Sequence, residues 1–70
     1  MELHNEAITL GELLDDPKAR GVLQRRFGRW MEHPVVRSAR SLTLAQLAEM
    51  AAVWLPRSVI RDTLEELRRL

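Results

Sequence analysis

The sequence predicts an all-α fold: a compact bundle of four to five short helices, arranged as two helix hairpins with capping-box starts. Three observations predict it. One helix-start phrase occurs twice, as ITLGELLDD from Ile8 and as LTLAQLAEM from Leu42. Pro17, Pro34 and Pro56 stand where helices would open, not where they would be interrupted. Apolar residues recur every three to four positions, and no alternating strand pattern is present.

The first helix begins at a capping box. Thr9 and Glu12 are three residues apart, so each side chain can satisfy an otherwise orphaned backbone donor of the other. Ile8 and Leu13 hold the two positions of a hydrophobic staple. This helix is short, because Pro17 lacks an amide proton and cannot sit in a helix interior. With Asp16 as its cap, Pro17 opens a second helix that runs to Phe27 or Met31. Ala19, Val22, Leu23, Phe27 and Trp30 line one face of it. Gly28 is a candidate stop. Residues 1–7 read as a loosely ordered N-terminal arm.

Pro34 opens a short third helix carrying Val35, Val36 and Ala39, with His33 capping the turn before it. Thr43 and Gln46 then repeat the capping box, with Leu42 and Leu47 as the staple. The fourth helix would place Leu44, Leu47, Ala48, Ala51, Trp54 and Leu55 on one face. Met50 and Val53 fall off that face, so its apolar arc is unusually wide. The last helix starts near Pro56 or Ser58. Its stripe is Val59, Ile60, Thr63, Leu64, Leu67 and Leu70, and Glu65 precedes Arg69 by the favourable four residues. The two capping threonines stand 34 residues apart, within the range of helix-pair repeats.

Seventy residues make one small domain, 1–70, whose stability margin is thin. There is no cysteine and there are two histidines, so disulfides, thiolate metal sites and a histidine zinc site are excluded. No cofactor is expected. Stability must come from helix packing, self-association or a larger parent protein. No apolar run reaches the roughly 20 residues of a membrane span, and the acidic start has no signal-peptide pattern. The expected location is cytoplasmic, or that of the parent protein if the chain is a fragment.

The net charge of +1 conceals an asymmetry. Met1 to Asp16 holds five acids and no base, whereas Pro17 to Arg40 holds seven bases and one acid, Glu32. Such a division can mark an interaction surface or two faces that meet in the fold. Catalysis has no recognisable apparatus: Ser38, Ser41 and Ser58 lack a nucleophile context, and His33 lacks a paired acid. Asp15 and Asp16 read as a helix end and a helix cap. The stretch RRFGRW interleaves Arg25, Arg26 and Arg29 with Phe27 and Trp30, which suits phosphate contacts with base stacking. Helical spacing, however, puts Lys18, Arg25 and Arg29 on the side away from the aromatics. Phe27 and Trp54 are expected in the core. Trp30, near the end of its helix, is expected to be a partly exposed contact residue.

The stretch TLGELLDDPKARGVL, followed by LTLAQLAEMA and a final amphipathic helix, resembles a small helical module of bacterial proteins. That module occurs in the C-terminal tails of some glycoside hydrolases and esterases and of related sugar-processing proteins. The resemblance spans Thr9–Leu23 and Leu42–Ala52 and, more loosely, the last helix. It implies an accessory or interaction module without its own active site, and no catalytic residue carries over. More distantly, the chain is similar to a bacterial domain of unknown function with the same helix starts around a cysteine pair. Arg29 to Ser41 holds no cysteine here, which speaks against a redox or cluster-related role.

The expectation is therefore a non-catalytic protein–protein interaction or accessory domain, packed on a protein partner, on a parent catalytic domain, or on itself as a homodimer. The alternative is a small nucleic-acid-binding module using the basic stripe. The candidate interaction residues are Lys18, Arg25, Arg26, Arg29, Trp30, Met50 and Val53.

Overall fold

A computed structural model describes all 70 residues. It has five helices: α1 Leu10–Asp15, α2 Pro17–Met31, α3 Pro34–Ser38, α4 Leu44–Ala51 and α5 Arg57–Arg68. There is no sheet, and the fold is all-α. The one extended pairing is a single antiparallel bridge between Thr9 and Thr43, which joins the two capping threonines directly.

Both capping boxes form. Glu12 N–H donates to Thr9 Oγ1 and Thr9 N–H to Glu12 Oε2, at 3.2 and 3.1 Å. Gln46 N–H donates to Thr43 Oγ1 and Thr43 N–H to Gln46 Oε1, at 3.2 and 2.9 Å. A helix start leaves further donors unsatisfied, and here the two copies satisfy each other. Leu10 N–H donates to the Leu42 carbonyl and Leu44 N–H to the Ile8 carbonyl, both at 2.9 Å. Gly11 N–H donates to the Arg40 carbonyl at 2.8 Å and Ala45 N–H to the Glu6 carbonyl at 3.1 Å. Shifting each residue by 34 positions turns one set of bonds into the other. The repeated phrase is thus a local pseudo-two-fold clasp holding the starts of α1 and α4 together.

Two different devices deliver the crossed carbonyls. Arg40 lies just beyond the end of α3. Glu6 ends a left-handed turn, with φ of 52°, 57° and 68° at His4, Asn5 and Glu6. Three successive non-glycine residues in this region are costly, so the turn depends on what it anchors. It seats Leu3 in the core and presents the Glu6 carbonyl to α4. Residues 1–7, expected as a loose arm, are thus packed onto the bundle through Leu3.

Pro17 opens α2 as expected. Asp16 Oδ1 accepts from Lys18 and Ala19 N–H at 2.9 and 3.3 Å. The helix does not stop at Gly28 but runs to Met31, with a kink at Phe27 (φ −130°, ψ 28°). The kink separates a buried face of Ala19, Val22 and Leu23 from a final turn that carries Trp30 outward. Phe27 itself is half-buried against the core. His33 Nδ1 accepts from Val35 N–H at 3.1 Å, capping α3.

The core is small. It comprises Leu3, Ile8, Leu10, Leu13, Ala19, Val22, Leu23, Leu44 and Leu67, of which Leu13, Ala19 and Leu67 are fully buried. α2 is the central helix and packs against both α1 and α5. Thr63 is buried within α5, its hydroxyl donating to the Val59 carbonyl at 2.7 Å. The expected Glu65–Arg69 pair is present at 3.9 Å on the α5 surface.

Trp54 corrects the sequence reading. Helical spacing assigns it to the core on an extended α4 face, but α4 ends at Ala51 and Trp54 is 83% exposed. Pro56 is the reason. A residue before proline is disfavoured in the helical region, so α4 cannot continue through Leu55. The chain instead turns at Ala52–Leu55, with Trp54 and Leu55 N–H both donating to the Ala51 carbonyl. The turn leaves Leu55 half-buried and Trp54 in solvent.

Candidate interaction surface

The seven residues singled out from the sequence do not form one site. Four belong to a basic side of α2, one to its kinked end, one to the end of α4 and one to the turn after it.

On the basic side, Arg25 and Arg26 both reach across to Glu66 of α5. Arg25 forms an ion pair with it, and Arg26 Nε donates to Glu66 Oε1 at 2.6 Å. These two arginines therefore help to hold α2 on α5. The glutamate that binds them was not legible as a partner, because it lies 40 residues away in the sequence. Lys18 and Arg29 are exposed and without ion-pair partners. Trp30 is 66% exposed at the end of its helix.

A polar cleft of about 470 Å³ opens between α2 and α3. Its bases are Arg20, Arg37 and Arg40, none of them among the seven. Arg40 is already paired with Asp15 at 3.0 Å, so the acidic N-terminal stretch does meet part of the basic segment. His33 borders the same cleft with its Nδ1 occupied by the α3 cap. No group of three or more histidine or carboxylate side chains is placed to hold a metal ion.

The α4–α5 side is different in character. Met50, Val53 and Trp54 are large apolar side chains standing exposed at the end of α4 and in the following turn. Trp54 is the residue that sequence reasoning missed at this surface. The signal was present in Pro56, two residues on, which ends the helical register. A groove of about 380 Å³ separates α4 from α5. Ala48 of α4, Ala52 just after it, and Ile60 and Leu64 of α5 are its apolar lining. Arg57, Arg61 and Arg68 stand along the α5 wall, and Glu49 and Glu6 along the other.

No helix is long and apolar enough to cross a membrane. No protein-family model, curated protein or solved structure matches the chain.

Proposed function

We propose that this chain is a non-catalytic protein–protein interaction or accessory domain, and that it docks through the surfaces around α4. The observation that carries the reading is the exposure of Met50, Val53 and Trp54 together on a domain whose core holds only nine apolar residues. Exposed tryptophan and methionine side chains are characteristic of protein contacts and contribute little to a monomer in water. The resemblance to C-terminal modules of glycoside hydrolases and esterases supports the same reading, with a parent enzyme as one natural partner. The engagement of His33 Nδ1 in a helix cap supports a role without chemistry of its own.

Nucleic-acid binding is the second reading, and Lys18, Arg29 and Trp30 favour it. Against it, Arg25 and Arg26 are both engaged by Glu66, and the cleft between α2 and α3 places acids beside its bases. Titration of the chain with single-stranded and duplex nucleic acid separates the two. The expected outcome is no micromolar binding at about 50 mM salt. Micromolar binding that falls steeply by about 200 mM salt, and is lost on Lys18→Ala with Arg29→Ala, would replace protein docking with nucleic-acid binding.

A further inference from the structure

The α4–α5 groove has two properties that together specify an occupant. The first is its charge. Arg57, Arg61 and Arg68 lie on one wall, Glu49 and Glu6 on the other. No arginine of the first wall forms an ion pair with a glutamate of the second. The only ion-pair contact among the five residues is that of Arg61 with its neighbour Asp62, at 3.4 Å. The second property is its relief. Ile60 and Leu64 form an i,i+4 ridge on α5, and Ala48 of α4 forms a shallow i,i+4 row with Ala52, the residue that caps the helix. Ridges and rows of the same spacing interdigitate when helices pack.

We infer that the occupant is a second copy of this chain, related by a two-fold axis running along the groove. Rotation about such an axis exchanges the two walls. The arginine wall of each copy then faces the glutamate wall of the other, and the Ile60–Leu64 ridge of each lies over the Ala48–Ala52 row of the other. Glu49 stands opposite Arg57 and Arg61 of the second copy, and Glu6 opposite its Arg68. A two-fold contact makes every such pairing twice, which suits a groove that is complementary to itself. A second copy carries both the ridge and the opposed charge rows. A domain of this size also gains from the added core, because small domains without disulfides or metals are commonly supported by oligomerisation. The proposal rests on the protein-docking reading above and names the partner for one of its surfaces.

Sedimentation of the whole chain at up to about 1 mM tests the pairing. The wild-type chain is expected to dimerise. Glu49→Arg leaves Glu6 as the one acid in the groove of one variant, and Arg57→Glu with Arg61→Glu leaves Arg68 as the one base in that of a second variant. All three side chains are exposed, so far-UV circular dichroism should be unchanged. Each variant alone should dimerise at least about tenfold more weakly than wild type. An equimolar mixture of the two should form a one-to-one heterodimer, because every facing charge pair is then opposite. A wild-type chain that remains monomeric at the highest concentration overturns the proposal, as does a mixture that stays monomeric. The docking reading stands or falls separately, on the nucleic-acid titration. A monomeric chain that ignores nucleic acid loses only its second copy.

Discussion

The two halves of this chain open alike and bury themselves differently. Thr9 and Thr43 make equivalent capping boxes, and each helix start takes its next two hydrogen bonds from the other half. Beyond the caps the equivalence ends. α1 buries Leu10, Gly11 and Leu13, while α4 buries only Leu44. The staple leucines show the contrast directly: Leu13 is fully buried, and its counterpart Leu47 is half-exposed. The difference arises from the packing partner that each helix meets. α1 is pressed between the clasp and α2, whereas a groove lies between α4 and α5. The first half thus supplies most of the core, and the second leaves apolar surface open for contact.

Substitution at equivalent positions sharpens this comparison. The largest effect is expected at the staple. Leu13→Ala should cost about 2–5 kcal/mol, the range for a fully buried leucine. Leu47→Ala should cost no more than about half as much, because less apolar surface is lost. Equal losses in denaturant unfolding would show that α4 is packed as tightly as α1.

The second residue of each helix should give the next largest difference. A Cβ at Gly11 would stand 3.1 Å from the Arg40 carbonyl oxygen, the same atom that Gly11 N–H binds. Gly11→Val should therefore cost about 1–3 kcal/mol, as overpacking does. The counterpart Ala45 is exposed, and Ala45→Val should cost only the difference in helix propensity, about 0.5 kcal/mol. A neutral Gly11→Val in thermal unfolding would mean that the clasp can open at that point without loss.

The smallest difference is expected at the caps themselves. Thr9→Ala and Thr43→Ala should each cost about 1 kcal/mol, because both hydroxyls accept the same bond with the same geometry. Here equality is the informative result. A much larger loss at one threonine would show that the clasp is supported mainly from that side.

Much of the fold was legible because its signals are local. Capping boxes, staples and proline openings depend on residues within about five positions of one another, and the two boxes and the opening at Pro17 all formed. The cap by His33 is of the same kind. Trp54 is misplaced by its spacing because the α4 periodicity runs on past the point where Pro56 ends the helix. Gly28 reads as a stop, but the kink falls one residue earlier at Phe27 and the helix continues. Arg25 and Arg26 read as an open basic stripe because Glu66, on a distant helix, is not their neighbour in sequence. Of the candidate surface, Met50 and Val53 were legible as residues that fit no buried face. The groove between α4 and α5 was not, since its walls come from separate segments.

What the sequence by itself determined is where each helix begins and, for α1 to α4, which side chains close its first turn. Those choices are settled by backbone donors and nearby acceptors within a single turn of chain. Only the tertiary structure decided that the two starts clasp each other through Thr9 and Thr43, and that Glu66 draws α2 onto α5. It alone left a charged groove between α4 and α5. These depend on groups tens of residues apart arriving at hydrogen-bonding or packing distance, which is a property of the folded chain and of no local stretch.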